Sequence, residues 1–397
     1  MPDGHIESSF GRPLASGKGQ LRILREPYEV EQLKPAWQAL IEGEGRPVST
    51  FQAPDWILAL LYHQFRQLKP TPVRVVAVET QRELVLVAPL ALISRSGIRV
   101  LQWLGEPLSA YGDVVVHRTC DVAALMKEVV DCLQEQGDSI DIIHLPKTRA
   151  DAAIMPFLKN FSRVPFTNKR APYLDLTSFR DFDAYVASRS RSAMKAYRRK
   201  RRRLAEQGRL EFRVHPAGDQ AEALGHYAIE LKTKWMKTYG KVSRVFADPR
   251  HLASLMEFLR TKNSGARVSE LSLDSTPIAI EIGFVTNRSY YSYLGAMDLD
   301  HSRYSPGQLQ LLDTLEWCFR EGIEVFDLLP SDSEYKRAWA THHADENEWT
   351  YFCTLKGALY EKLVLKSLLP LSRKLYSRTP MAIRRPAQAW VHRVLRE

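Results

Sequence analysis

The sequence predicts an α/β (α+β) chain built as two similar halves, each a mixed, mainly antiparallel sheet flanked by helices. Three observations lead there. The 397 residues are too many for one compact domain and about right for two. The composition, 45% hydrophobic and 26% charged, is that of an ordinary globular chain. And one pattern occurs twice. Residues 73–116, VRVVAVETQRELVLVAPLALISRSGIRVLQWLGEPLSAYGDVVV, read as strand, polar turn, apolar strand, polar turn, and a strand ending in Leu104-Gly105. Residues 266–307, ARVSELSLDSTPIAIEIGFVTNRSYYSYLGAMDLDHSRYSPG, repeat the order and end the third strand in Leu294-Gly295.

Taken in order, residues 1–20 lack an apolar segment and read as a flexible leader, not a secretory signal. The first half spans 21–165 and opens with helical material around Val30–Ile41 and Pro54–Phe65. Its repeat is followed by a helical stretch, DVAALMKEVVDCLQEQG, and a strand, SIDIIHLP. The second half spans 166–356, with helices expected at Phe182–Gln207, Ala221–Tyr239 and Pro249–Lys262. Its repeat continues into QLQLLDTLEWCFREG and IEVFDLLP. Cys132 and Cys318, Gly137 and Gly322, and Pro146 and Pro330 fall in the same order in both halves. Leu309, Leu312, Leu315 and Phe319 have the spacing of an amphipathic helix, which Gly322 would end in the left-handed conformation.

Several chemistries lose their usual support. No apolar run reaches the roughly 18 residues that span a bilayer. The four cysteines are scattered without a C-x-x-C, which argues against a disulfide framework or zinc site and for a cytoplasmic setting. His342-His343 with Asp345 is the one local histidine cluster, and it reads as solvated. Neither a phosphate-binding G-x-x-x-x-G-K-[ST] nor a G-x-S-x-G occurs.

The net charge of +10 is uneven. Residues 189–203, RSRSAMKAYRRKRRR, carry +9, residues 356–397 carry +8, and the remainder is left at −7. The first run reads as a helix that either presents a solvated face or contacts phosphates. The basic tail, 357–397, mixes Leu, Val and Trp with Lys and Arg. It suits peripheral contact with an anionic membrane at its inner face, or packing against the body.

RSRSAMKAYRRKRRRLAEQGRLEF, LSLDSTPIAIEIGF and YSPGQLQLLDTLEWCFREGIEVFDLLPSDSEYKRAW together resemble the GNAT-fold acyltransferases. The resemblance is strongest to the CelD-like branch linked to cellulose and exopolysaccharide biosynthesis, and it extends to the related Fem peptidyltransferases. FQAPDWILAL, VAPLAL and LGEPLSAYGDVVV carry it into the first half, so that it covers most of residues 25–355. It implies tandem GNAT-like halves and an acyl-CoA-dependent N- or O-acyltransferase. Acetyl-CoA or another acyl-CoA would be the donor, with no metal. The acceptor would be a sugar or amine of a polysaccharide precursor, free or lipid-linked. Fem-like transfer from aminoacyl-tRNA and a non-catalytic scaffold of an exopolysaccharide system are the alternatives.

The resemblance also places a site. The loop HSRYSPGQ, with Arg303, Tyr304, Ser305, Gly307 and Gln308, would present backbone N–H groups to the cofactor pyrophosphate at a helix N-terminus. It has one glycine where the usual signature has two. The strand through Tyr293 and Leu294 would offer an N–H to the thioester carbonyl. Asp327 would deprotonate or orient the acceptor, or cap its own turn. Tyr335 would be the general acid. Lys336 would stabilise developing negative charge or pair with Asp327. Glu281, mid-strand in PIAIEIGF, is expected on an exposed face by alternation, the other reading being a base with a raised pKa. The first half has Tyr111 and Asp113 where the second has its Pro-Gly loop, and is read as degenerate.

Overall fold

The computed structural model describes residues 11–14, 17, 19–43, 48–65, 73–95, 97–164, 169–330 and 334–360. The chain divides into two compact units. One holds residues up to Lys169 together with the segment from Asp345; the other is Arg170–Ala344.

The first unit contains β1 (Gly11–Pro13), β2 (Gly19–Leu24), α1 (Pro27–Glu42), α2 (Pro54–Phe65), β3 (Val73–Thr80), β4 (Glu83–Arg95), β5 (Ile98–Trp103), β6 (Val115–Val116), α3 (Val122–Glu135), β7 (Ile142–Arg149) and β8 (Ser162–Arg163). Its strands run β1-β2-β3-β4-β5-β7, antiparallel except for the parallel pair β5 and β7. Strand pairing thus reaches back to Gly11, inside the stretch expected as a leader.

The second unit contains β9 (Lys169–Asp175), α4 (Phe182–Ser188), α5 (Arg191–Ala205), β10 (Leu210–Pro216), α6 (Asp219–Thr238), α7 (Arg244–Ala247), α8 (Pro249–Arg260), β11 (Ala266–Leu273), β12 (Thr276–Thr286), β13 (Ser289–Met297), α9 (Pro306–Arg320), β14 (Val325–Asp327) and α10 (Glu334–Trp339). The order β10-β11-β12-β13-β14-β9 is again antiparallel with one parallel pair, β13 and β14. The duplicated pattern is therefore a duplicated topology. β3-β4-β5, α3 and β7 correspond to β11-β12-β13, α9 and β14. Two-residue turns with positive φ close the β3–β4, β11–β12 and β12–β13 hairpins at Gln81-Arg82, Asp274-Ser275 and Asn287-Arg288, matching the twist of the strands.

Two boundaries differ from expectation. The helix expected over Phe182–Gln207 is two helices, because Arg189 is extended and the Ser190 hydroxyl accepts from the Ala193 N–H, starting α5 afresh. The last strand, β15 (His342–Phe352), pairs from Glu346 onward with β7, so the chain returns to the first unit before residue 356. A short helix, α11 (Leu355–Tyr360), follows; the rest of the basic tail lies outside the described residues.

Cys132 and Cys318 are fully buried at corresponding places in α3 and α9, packed in the two main cores. No helix among the described residues is long and apolar enough to cross a membrane.

Candidate active site

The parallel pairing of β13 with β14 lasts only three residues, Ser289–Tyr291 against Val325–Asp327. Beyond it β13 runs on to Met297. A cavity of about 280 Å³ lies against this part of the strand, lined by Gly295, Ala296 and Met297, by Lys232 and Trp235 of α6, by Ser302 and Ser305, and by the start of α9. Glu281 and Tyr335 complete the lining.

The start of α9 has unusual electrostatics. Ser305 is its N-cap residue, in the left-handed conformation with φ 53°, and its hydroxyl caps no N–H. That hydroxyl accepts from the ammonium of Lys200 on α5, at 2.7 Å. A helix N-terminus already carries about half a positive charge. Among the described residues no carboxylate pairs with Lys200, so two positive potentials meet there. Gly307, in the first turn, leaves room: a Cβ there would meet nothing closer than Met297 Sδ at 3.9 Å. Backbone and cation together fit an anion.

Glu281 corrects an expectation. It is 5% exposed, not on a solvated face. Alternation misleads because β12 is covered on both sides, by α6 and by α9, and its residues from Ile278 to Phe284 are buried alike. The carboxylate accepts from Tyr290 Oη at 2.8 Å and from Ser292 Oγ at 2.7 Å. Gly283 makes the first bond feasible, since a Cβ there would stand 2.0 Å from Tyr290 Oη. Burial raises the Glu281 pKa above the usual carboxylate range; the two hydrogen bonds and the charge of Lys336 pull it partly back.

Tyr335 faces the same cavity and is 45% exposed. Burial of part of the ring and the charge of Glu281 push its phenol up to about 12, so it holds its proton at neutral pH. Lys336 turns elsewhere: its ammonium donates to the carbonyls of Leu328 at 2.6 Å and Leu329 at 3.4 Å. Burial lowers its pKa to about 8, opposed by Asp327 and Glu281 and helped by Lys232. Asp327, 2% exposed, accepts from the Leu329 N–H at 2.7 Å and so caps its own turn.

The other expected residues divide. Ser305, Gly307 and Gln308 line the cavity. Arg303 instead lies over the ring of Tyr304 at 4.7 Å, and Tyr304 packs against a satellite core around Leu204 and Leu309. Tyr293 is the extra residue of a bulge in β13, its ring 4.8 Å from Phe284, while Leu294 is buried. The cavity is met two or three residues later, at Gly295–Met297. Lys232, Trp235 and Gln310 had no signal in the sequence. Lys232 donates to the Gly295 carbonyl at 3.0 Å and sits over the Trp235 ring at 4.7 Å. Gln310 donates to Ser269 Oγ at 2.6 Å, inside the sheet–helix interface. Among the described residues no group of three His, Cys, Asp or Glu side chains could hold a metal.

Fold and site define a class: the second unit is a GNAT-fold acyltransferase domain. Residues 191–337 match the family model described as an acetyltransferase (GNAT) domain. No curated protein sequence gives a significant match. Among solved structures the chain is similar to FemX, with a TM-score of 0.57 at 13% identity over 83% of this chain and 98% of that one. A conserved protein of unknown function from Bacteroides thetaiotaomicron VPI-5482 gives 0.51 at 10% identity, over 83% and 99%. A C-terminal domain (DUF2156) assigned to a lysylphosphatidylglycerol synthetase from Agrobacterium fabrum gives 0.50 at 12%, over 86% and 98%. At these identities the likeness is one of fold.

Proposed function

We propose that the chain transfers an acyl group from a thioester donor of the acyl-CoA type to an amine or hydroxyl of a saccharide or related acceptor. The observation that carries this reading is the Lys200 ammonium on Ser305 at the N-terminus of α9, at the mouth of the cavity. Acyl-CoA supplies an activated carbonyl and an anionic handle; Lys200, Ser305, Gly307 and the first-turn N–H groups would hold the handle. The aliphatic arm would lie against Trp235, Ala296, Met297 and Leu311.

Glu281 is the base in this reading. It accepts the acceptor's proton as the new C–N or C–O bond forms at the carbonyl, and Tyr290 and Ser292 hold it in place. The C–S bond then breaks, and Tyr335 supplies the proton that the departing thiolate takes up. Asp327 and Lys336 act one step removed, by fixing the turn after β14 and setting the field at Glu281. The saccharide acceptor rests on the CelD-like resemblance, and a place at the cytoplasmic face of a membrane rests on the composition of the basic tail. A second reading, Fem-like transfer from aminoacyl-tRNA, draws on the fold shared with FemX and on the basic run of α5.

Thermal unfolding with and without acetyl-CoA and longer acyl-CoAs tests the first reading. Ligand at 100 times its Kd stabilises by about 2.7 kcal/mol, roughly 5–10 °C for a unit of this size. The shift should vanish in Gly307→Glu, which puts a carboxylate at the anion site. No shift with any acyl-CoA would refute the reading and turn the search to charged tRNA.

A further inference from the structure

Helix α5 has two contrasting sides. Its inner stripe, at spacings of three and four, is Met194, Tyr197, Lys200, Arg201 and Leu204. Met194 and Leu204 are buried, and Tyr197 stacks on Trp339 at 5.5 Å. Lys200 is fixed to Ser305 and Arg201 to Asp313, the latter by bonds of 2.7 and 2.8 Å. The outer stripe is Arg191, Lys195, Arg198, Arg199 and Arg202, all exposed. Among the described residues this stripe makes one ion pair, Arg202 with Glu206 at 4.0 Å, while Asp313 and Glu211 are taken by Arg201 and Arg209. Like charges one turn apart repel, and here a firmly anchored helix holds them together. Near its end the helix borders an open hollow of about 550 Å³ lined by Arg198, Arg201, Arg202 and Arg209. The outer stripe carries no large apolar side chain, so a bilayer would find no foothold for insertion. An acidic, shaped partner fits better.

The anion site beside it is small. It offers one helix N-terminus, one ammonium and one glycine, Gly307, enough for a single phosphate. The cavity beyond it has an apolar wall of Trp235, Ala296, Met297 and Leu311, suited to an aliphatic arm rather than a nucleoside.

We infer that the donor arrives as an acyl-phosphopantetheine thioester on an acidic acyl carrier protein, which docks its acidic face along the outer stripe of α5. This rests on the proposed reading that the cavity accepts a pantetheine thioester. The transfer is the same: the acyl carbon bonds to the acceptor, the C–S bond breaks, and the carrier leaves with a free thiol whose proton replaces the one lost by the acceptor.

The test compares initial rates with acetyl- or octanoyl-loaded acyl carrier protein and with the matching acyl-CoA. The carrier donor should give a kcat/KM at least about tenfold higher at 50 mM salt, and 0.5 M salt should abolish the advantage. Arg198→Gln/Arg199→Gln/Arg202→Gln should remove it too, leaving the acyl-CoA rate within about twofold; the corresponding triple Glu variant should go further. Equal use of both donors, or an advantage that survives the triple variant, overturns the inference while the acyl-CoA reading stands. If neither donor supports transfer, both fall. Charged tRNA acting as donor, or binding to phosphatidylglycerol vesicles, with loss in the triple variant, would assign the stripe to RNA or membrane and overturn the carrier assignment.

Discussion

Helices α3 and α9 occupy corresponding places in the two units, yet their N-termini are treated in opposite ways. α3 is closed by its own anion: the Asp121 carboxylate accepts from the N–H groups of Ala123 and Ala124 at 3.0 and 3.2 Å. α9 begins at an uncapped serine with a lysine on its hydroxyl. The loops that lead into the helices follow suit. In the first unit Trp56 donates to Ser109 Oγ at 2.8 Å, Gln52 to the Tyr111 carbonyl at 3.0 Å, and Lys147 to the carbonyls of Pro107 and Ser109 at 2.8 and 2.6 Å. Asp113 is buried beneath three backbone N–H groups, and burial raises its pKa to about 6 in spite of them. These polar groups are spent on closing the loop. In the second unit the same stretch borders a cavity. Duplication preserved the scaffold, and the difference lies at the helix end: an internal carboxylate caps α3, whereas α9 has a lysine on an uncapped serine.

The contrast can be broken by substitution, and the largest effect is expected at Glu281. Glu281→Gln should lower kcat/KM by about 10²–10⁴ without loss of stability. The sign follows from its raised pKa. A carboxyl group that binds its proton more tightly folded than unfolded contributes less stability as pH climbs past its unfolded value, so the amide should melt no lower than the native chain at pH 7. For the same reason native activity should rise with pH through the elevated Glu281 pKa. A melting point well below the native one would show Glu281 to be structural.

Next come the glycines. A Cβ on Gly112 would lie 2.0 Å from Trp103 Nε1, whereas one on Gly295 meets nothing within 4 Å. Gly112→Ala should cost ~1–3 kcal/mol in urea unfolding through overpacking, and Gly295→Ala should change stability little while impairing catalysis. Lys200→Ala should weaken donor binding about tenfold, the scale of one charge-assisted hydrogen bond, as read by calorimetry. It should not destabilise the free protein, since it removes a cation from a positive helix end. The smallest effect separates the caps. Asp121→Ala should cost roughly 1 kcal/mol, and Ser305→Ala at most a few tenths, because Ser305 caps nothing. Equal costs would dissolve the contrast between the two helices.

Much of the fold was legible. The repeat could be read because each half needs the same apolar strands and the same helix stripe, and Cys132 and Cys318 mark one buried position in both. The Ser305–Gln308 loop was legible through proline and glycine, whose backbone limits leave a trace in sequence. Glu281 was not, because alternation assumes that one face of a strand is wet, and β12 is covered on both. Lys232 and Trp235 were hidden for another reason. On a long amphipathic helix, a residue that meets the site at its edge reads like any surface residue. The break at Ser190 needed the cap geometry itself, since Ser188, Ser190 and Ser192 each offer a possible cap and the residues that follow favour helix.

The return of the chain to the first unit sets an order of events during synthesis. The 175 residues of Arg170–Ala344 are threaded between β7 and the strand that pairs with it, and their ends are stitched together where the Thr341 N–H meets the Tyr173 carbonyl at 3.0 Å. At about 5–20 residues per second, a ribosome would need roughly 10–35 s to make that insert. For that interval the edge of β7 waits without its neighbour. The second unit, complete on leaving the ribosome, has no such delay and can fold before the sheet of the first unit is finished.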